Sequence, residues 1–187
     1  MLNIEQVLAE KAAAAGFTQQ GDIEVARFIG ALARIVRPGR ALELGTGMGF
    51  TTHHILANLP SDGTFDSVEN DAGLIEVAQE MIVQDGRVTL HHRPGEAFIG
   101  EYMFGEKYDF IFADTWPGKY HLLDEVLSMV GPGGVYVIDD MNLCAAWPDG
   151  HEEKAKALIS RLSNLKGWTF AYYTFGTGVG VAQRHIV

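Results

Sequence analysis

Two short runs, Phe110-Ile111-Phe112-Ala113 and Val135-Tyr136-Val137-Ile138, are apolar at every position. A strand with one wet face alternates apolar and polar residues, so an unbroken apolar strand needs cover on both faces. That cover is written around them. Val25, Phe28, Ile29, Leu32, Ile35 and Val36 recur at helical spacing, as do Leu74, Ile75, Ala78, Met81 and Ile82. Further helical patterns run through Leu122–Val130 and Ala155–Leu162, while Ala41–Leu44, Thr64–Glu69, Val88–His92 and Tyr108–Ala113 read as strands. Strand–helix alternation of this kind predicts a parallel sheet with right-handed crossovers. The rhythm breaks at the end, where Trp168–Thr174 and Val179–Gln183 are joined by Phe175-Gly176-Thr177-Gly178. A join that short suits only antiparallel strands. The expected fold is therefore α/β and doubly wound, a mostly parallel sheet finished by a C-terminal antiparallel hairpin.

The 187 residues fit one domain, 1–187, with residues 1–20 forming an N-terminal helix and connector. A net charge of −10 disfavours nucleic acid and anionic membrane surfaces as partners. The single cysteine, Cys144, can neither close an intrachain disulfide nor build a cysteine zinc site. No signal-peptide pattern opens the chain, and the apolar run Phe28–Val36 is short and broken by Arg34. A cytoplasmic location and a small-molecule partner are expected, with a homodimer left open.

The first strand ends in Glu43-Leu44-Gly45-Thr46-Gly47-Met48-Gly49-Phe50-Thr51. A strand, a glycine turn and a helix start together expose backbone N–H groups to a polar ligand. Glycines let the chain bend sharply and keep Cβ atoms out of the ligand's way. Phe50 stands where a dinucleotide fingerprint needs its last glycine, which disfavours a nicotinamide dehydrogenase. Glu69 ends the next strand, where an acidic group can accept hydrogen bonds from ribose hydroxyls. The two features together point to a nucleoside cofactor.

ALELGTGMGFTT resembles motif I of class I S-adenosylmethionine (SAM)-dependent methyltransferases, and SVEND resembles their ribose-binding segment. YDFIFADTWPGKY followed by GPGGVYVIDD is similar to the catechol/caffeoyl-CoA type of small-molecule O-methyltransferase. The resemblance implies a Rossmann-like, seven-stranded sheet. It places Gly45, Gly47, Gly49 and Thr51 around the methionine end of SAM, counts Glu43 among the cofactor-binding residues and puts Glu69 on the ribose. Asn70 and the Gly95-Glu96-Ala97 turn would frame the adenine, and Asp114 and Trp116 would lie beside the cofactor.

Asp114, Asp139 and Asp140 fall at strand ends on the expected ligand edge. Gathered carboxylates repel, and a hard divalent ion such as Mg²⁺ would relieve that repulsion. The family's Asp-Asn pair is here Asp139-Asp140, and Pro117 falls where its lysine base should be; Lys119, two residues on, is the substitute candidate. Adjacent strand residues point to opposite faces, so Asp139 and Asp140 can share an ion only beyond the strand's end. The implied activity is methyl transfer from SAM to an oxygen of a small molecule. Its competitors are a metal-independent methyltransferase for O, N or S acceptors and an inactive nucleoside-binding module.

Weaker signals have plainer readings. The pairs His53-His54 and His91-His92 lack the spacing that aims two imidazoles at one ion. His121 is a candidate cleft residue, Trp147–His151 a candidate lid, Cys144 a small loop or buried thiol, and Gly176-Thr177-Gly178 a plain hairpin turn.

Overall fold

The computed structural model describes residues 4–14, 16, 21–82, 85–142 and 150–186. Within them helices α1 (Ile4–Ala14) and α2 (Ile23–Val36) precede an alternation of strand and helix. It runs β1 (Arg40–Leu44), α3 (Phe50–Asn58), β2 (Thr64–Glu69), α4 (Ala72–Ile82) and β3 (Val88–His92). Then come α5 (Gly95–Tyr102), β4 (Tyr108–Ala113), α6 (Leu123–Met129), β5 (Val130–Ile138) and α7 (His151–Ser163). The hairpin β6 (Trp168–Tyr173) and β7 (Val179–Arg184) follows. These strands form one sheet in the order β3-β2-β1-β4-β5-β7-β6. The first five are parallel, and β7 is antiparallel to both β5 and β6.

The unbroken apolar strands are buried from both sides. Ala41, Phe110, Phe112, Val135 and Val137 pack with residues of α2, α3 and α4 on one face. Leu42, Leu44, Ile111, Ala113, Tyr136 and Ile138 face α5, α6 and α7 on the other. The period of two sorts each strand between two helical layers. Asp22 starts α2 by accepting from the N–H groups of Glu24 and Val25 at 2.8 and 3.2 Å, and Arg37 ends it in the left-handed region at φ 52°.

β5 begins five residues before the expected Val135, because Val130 pairs with Tyr108 ahead of a register shift. The Gly131-Pro132-Gly133-Gly134 stretch reads as a turn by composition, yet here it is an irregular strand start. α1 lies over the start of α3, its Leu8 buried with Ala26 and Phe50. Ion pairs fix it there: Lys11 to Glu80 at 2.8 Å and Glu5 to Arg27 at 2.9 Å. The rest of the expected 1–20 connector lies largely outside the described residues. Among the described residues, no helix is long and apolar enough to cross a membrane.

Candidate active site

The strand order reverses between β1 and β4 (β2 continues from one side, β5 from the other), and ligands of open α/β sheets bind at such a switch point. The glycine loop stands there. Gly45 and Thr46 donate their backbone N–H groups to Val68 O at 2.9 and 3.1 Å, which fastens the loop to β2. Gly45 has φ 103°, and a Cβ there would lie 2.6 Å from Thr115 Cγ2, so only glycine passes β4 at this distance. The third glycine serves packing: a Cβ on Gly49 would meet Ile82 Cδ1 of α4 at 2.3 Å. Thr51 is half-buried in the first turn of α3, under Gly21.

Glu69, at the end of β2, accepts from Gly47 N–H at 2.8 Å through Oε2, and from Asn70 and Asp71 N–H at 2.8 and 3.0 Å through Oε1. It thereby orders the loop. Glu43 is buried beneath the loop, where Oε2 accepts from Thr52 and Ser67 hydroxyls at 2.6 Å each, and Oε1 has no hydrogen-bond partner. Burial pushes the Glu43 carboxyl up to about 8, against the two hydroxyls that favour its charged form.

Gly95, Glu96 and Ala97 form the first turn of α5, with the Glu96 and Ala97 side chains exposed and Gly95 packed on Pro117. Asn70 is exposed directly after β2, and Trp116 is 41% exposed. The Lys154 ammonium lies 3.9 Å from the Trp116 ring centroid, a cation–π contact that ties α7 to the rim.

Asp114, Asp139 and Asp140 come together as the sequence predicts, with one carboxylate oxygen of each within 4.8 Å of the others. The pleat objection dissolves because β5 ends at Ile138 and Asp140 takes φ 60°. Its side chain is thereby free of the strand alternation. Pro117 does not hold a base in the site, and Gly118 explains what does. At φ 89° it turns the chain where a Cβ would strike Leu44 Cδ1 at 2.6 Å, and its carbonyl accepts from the Tyr136 hydroxyl. The turn sends Lys119 inward. Lys119 is 3% exposed, donates from Nζ to the Asp139 carbonyl at 2.8 Å, and lies 4.0 Å from both Asp114 Oδ1 and Asp140 Oδ2.

Burial raises the Asp114 carboxyl well above the usual carboxylate range; the Lys119 charge opposes this and the neighbouring aspartates add to it. Asp139 rises to about 6, first through burial and then through the Asp140 charge. By donor chemistry, three carboxylates suit a hard divalent ion. As arranged, however, the group already faces a buried ammonium, and Asp139 Oδ1 is taken by the Asp140 N–H at 2.7 Å and by the Thr177 hydroxyl. The group thus offers three carboxylates, but one of its oxygens is already engaged and it shares its space with an ammonium.

Two site residues escaped the sequence. Thr177 sits in the β6–β7 turn, which is more than a plain turn: Met141 and Asn142 N–H donate to Gly178 O and Thr177 O at 3.0 and 2.8 Å. His151, not the exposed His121, approaches the acids, with Nε2 3.3 Å from Asp140 O and 3.4 Å from the Tyr120 hydroxyl. Its position at the start of α7 was readable only as the end of a lid. Cys144 and residues 147–149 of that candidate lid lie outside the described residues. His91 is structural, paired with Asp66 at 2.8 Å.

Known proteins resemble this chain in sequence and in fold. The caffeoyl-CoA O-methyltransferase of Populus kitakamiensis is 24% identical over 125 residues, 63% of this chain and 53% of that protein. Catechol O-methyltransferase B of Danio rerio is 29% identical over 124 residues, 61% of this chain and 46% of its own. The chain thus spans about half the length of the curated relatives it matches. The fold is shared with the O-methyltransferase TomG of Streptomyces achromogenes, involved in tomaymycin synthesis and solved with SAM, at TM-score 0.84 and 20% identity over 99% of this chain and 91% of that one. An O-methyltransferase from Bacillus cereus, solved with SAH, superposes at TM-score 0.84 and 18% identity over 96% and 90%. The family model described as O-methyltransferase matches residues 4–165, from α1 through α7 and so across the glycine loop and all three aspartates, and the chain belongs to that family.

Proposed function

We propose that this protein transfers a methyl group from SAM to an oxygen of a small-molecule acceptor. The observation that carries the reading is the placing of the glycine loop, with Glu69 beneath it, at the same strand edge as Asp114 and Lys119. The names of the curated relatives, caffeoyl-CoA and catechol O-methyltransferases, support a small-molecule acceptor. In this reading Gly45, Gly47 and Thr51 line the methionine end and Glu69 accepts from the ribose hydroxyls. Asn70, Gly95, Glu96 and Ala97 border the adenine, and Trp116 closes the rim. Glu43 acts from below, through Thr52 and Ser67.

The chemistry is an in-line displacement. The acceptor oxygen forms a bond to the sulfonium methyl carbon, the carbon–sulfur bond breaks, its electron pair stays on sulfur, and S-adenosylhomocysteine leaves. A phenolic hydroxyl with pKa about 10 costs roughly 4 kcal/mol to ionise at pH 7. The site must offer an acceptor for the proton and a positive charge for the oxygen. Asp114 Oδ1 is buried without a hydrogen-bond partner and so is open to a hydroxyl proton. The Lys119 ammonium beside it is the positive charge. Holding the oxygen in line with the methyl group lowers the barrier further, because the encounter becomes effectively unimolecular.

Two measurements test the reading. Calorimetric titration should find one SAM per chain, and a labelled-methyl assay over catechols and hydroxycinnamoyl thioesters should find an acceptor. Absence of SAM binding would refute it. Binding without turnover on any oxygen, nitrogen or sulfur acceptor would instead support an inactive nucleoside-binding module.

A further inference from the structure

The acidic cluster of Asp114, Asp139 and Asp140 holds a cation that the chain itself provides. Lys119 Nζ is bonded to the Asp139 carbonyl at 2.8 Å and stands 4.0 Å from Asp114 Oδ1 and from Asp140 Oδ2. It therefore touches or faces all three members of the group. Its stem is buried, so the ammonium cannot swing out to water without unpacking the turn that carries it. That turn is over-determined. Gly118 N–H donates to His121 O at 2.7 Å, and Lys119 and Tyr120 N–H donate to Trp116 O at 3.1 and 2.9 Å. The left-handed Gly118 is pressed on Leu44. The Tyr120 ring lies 5.9 Å from Nζ and presents an attractive face to it.

We propose that the Lys119 ammonium takes the place of a divalent ion in this cluster, so that the site excludes such ions and methyl transfer proceeds without one. A small hard ion would need carboxylate oxygens at about 2.0–2.1 Å for Mg²⁺. Here the three carboxylates lie within 4.8 Å of one another with the ammonium 4.0 Å from Asp114 Oδ1 and Asp140 Oδ2, and Asp139 Oδ1 is engaged by the Thr177 hydroxyl and the Asp140 N–H. A second positive charge entering the group would be repelled by the first at close range and in a poorly screened setting. The first charge is covalently tethered, so the entering ion yields.

The proposal rests on the methyltransferase reading only for its statement about turnover. The ion-binding half is measured without activity. Mn²⁺ titration of the wild-type protein, followed by calorimetry and by the loss of the free-ion paramagnetic signal, should show no saturable site up to millimolar concentration. Lys119→Met, which keeps the stem and removes the charge, should gain one Mn²⁺ site at least tenfold tighter. Adding Asp140→Asn should remove that site again. SAM affinity, measured in parallel, should stay unchanged in Lys119→Met and reports separately on the cofactor reading. Wild-type turnover should survive exhaustive chelation. A micromolar Mn²⁺ site in the wild-type protein overturns the proposal, and that titration needs no variant to fold. A folded Lys119→Met that takes up no ion overturns it too, as does turnover lost on chelation and restored by Mg²⁺.

Discussion

Gly47 and Glu69 are joined by a 2.8 Å hydrogen bond from the backbone N–H of the first to Oε2 of the second. The carboxylate assigned to the cofactor's ribose is thus also the clamp of the loop that receives the cofactor. Glu69→Ala should remove both. A hydrogen bond to a charged group contributes about 1.5–3 kcal/mol, so SAM affinity should fall roughly tenfold to hundredfold, and thermal stability should fall with it. Glu69→Gln keeps an acceptor and should lose less of both. Unchanged affinity in Glu69→Ala, by calorimetry, would remove Glu69 from the cofactor site.

Gly49 is expected to be a packing glycine. Gly49→Ala places a methyl 2.3 Å from Ile82 Cδ1 and imposes φ 89° on an L-residue, the latter alone costing about 1–2 kcal/mol. Ile82→Val deletes the struck atom. The double variant should be more stable than the sum of the singles by about 0.5–3 kcal/mol, the usual range for residues in contact. Simple additivity in denaturant melts would show that the clash is not relieved there.

Glu43 should give stability a descending limb with pH. Its carboxyl ionises near 4.5 in the unfolded chain and near 8 when folded. Between those values the folded state holds a proton that the unfolded state has lost, so stability falls as pH rises across that window. The full contribution is present below pH 4.5 and gone above about 8. Glu43→Gln cannot ionise and should flatten this slope, with a gain over wild type at pH 8.5 of several kcal/mol at most, counted at about 1.36 per unit. Parallel slopes for both proteins would contradict it.

Thr177→Ala should separate turnover from cofactor binding. The lost hydroxyl holds Asp139 Oδ1, and about 1.5–3 kcal/mol of positioning would go with it. Turnover should drop at least tenfold while the SAM dissociation constant moves less than twofold, and Thr177→Ser should restore most of it. Equal losses in both constants would assign Thr177 to the fold at large.

Most of the frame was legible because it follows from burial. The unbroken apolar strands Phe110–Ala113 and Val135–Ile138 demanded two helical layers, and the short Phe175–Gly178 join demanded antiparallel strands. What was hidden turns on backbone dihedrals at single residues. The pleat rule seemed to separate Asp139 from Asp140, but it lapses one residue earlier, where β5 ends, and φ 60° at Asp140 reunites them. Pro117 stands at the expected lysine position, but the left-handed Gly118 aims Lys119, two residues on, into the acidic cluster. Thr177 and His151 are brought in by elements whose closeness to β5 is tertiary, and no local spacing encodes that.

The insertion of β7 between β5 and β6 bears on how the molecule comes into being on the ribosome. Among the described residues, β6 pairs with β7 alone, and the edge of β5 away from β4 is covered by β7 alone. A nascent chain synthesised through Tyr173 thus carries a loop and strands able to pair among themselves, beside an uncapped β5 edge. Such an edge is a template for other chains. The same late strand pair delivers Thr177 to Asp139. Maturation of the acidic cluster and protection from aggregation are one event, and that event waits for the last strand to emerge.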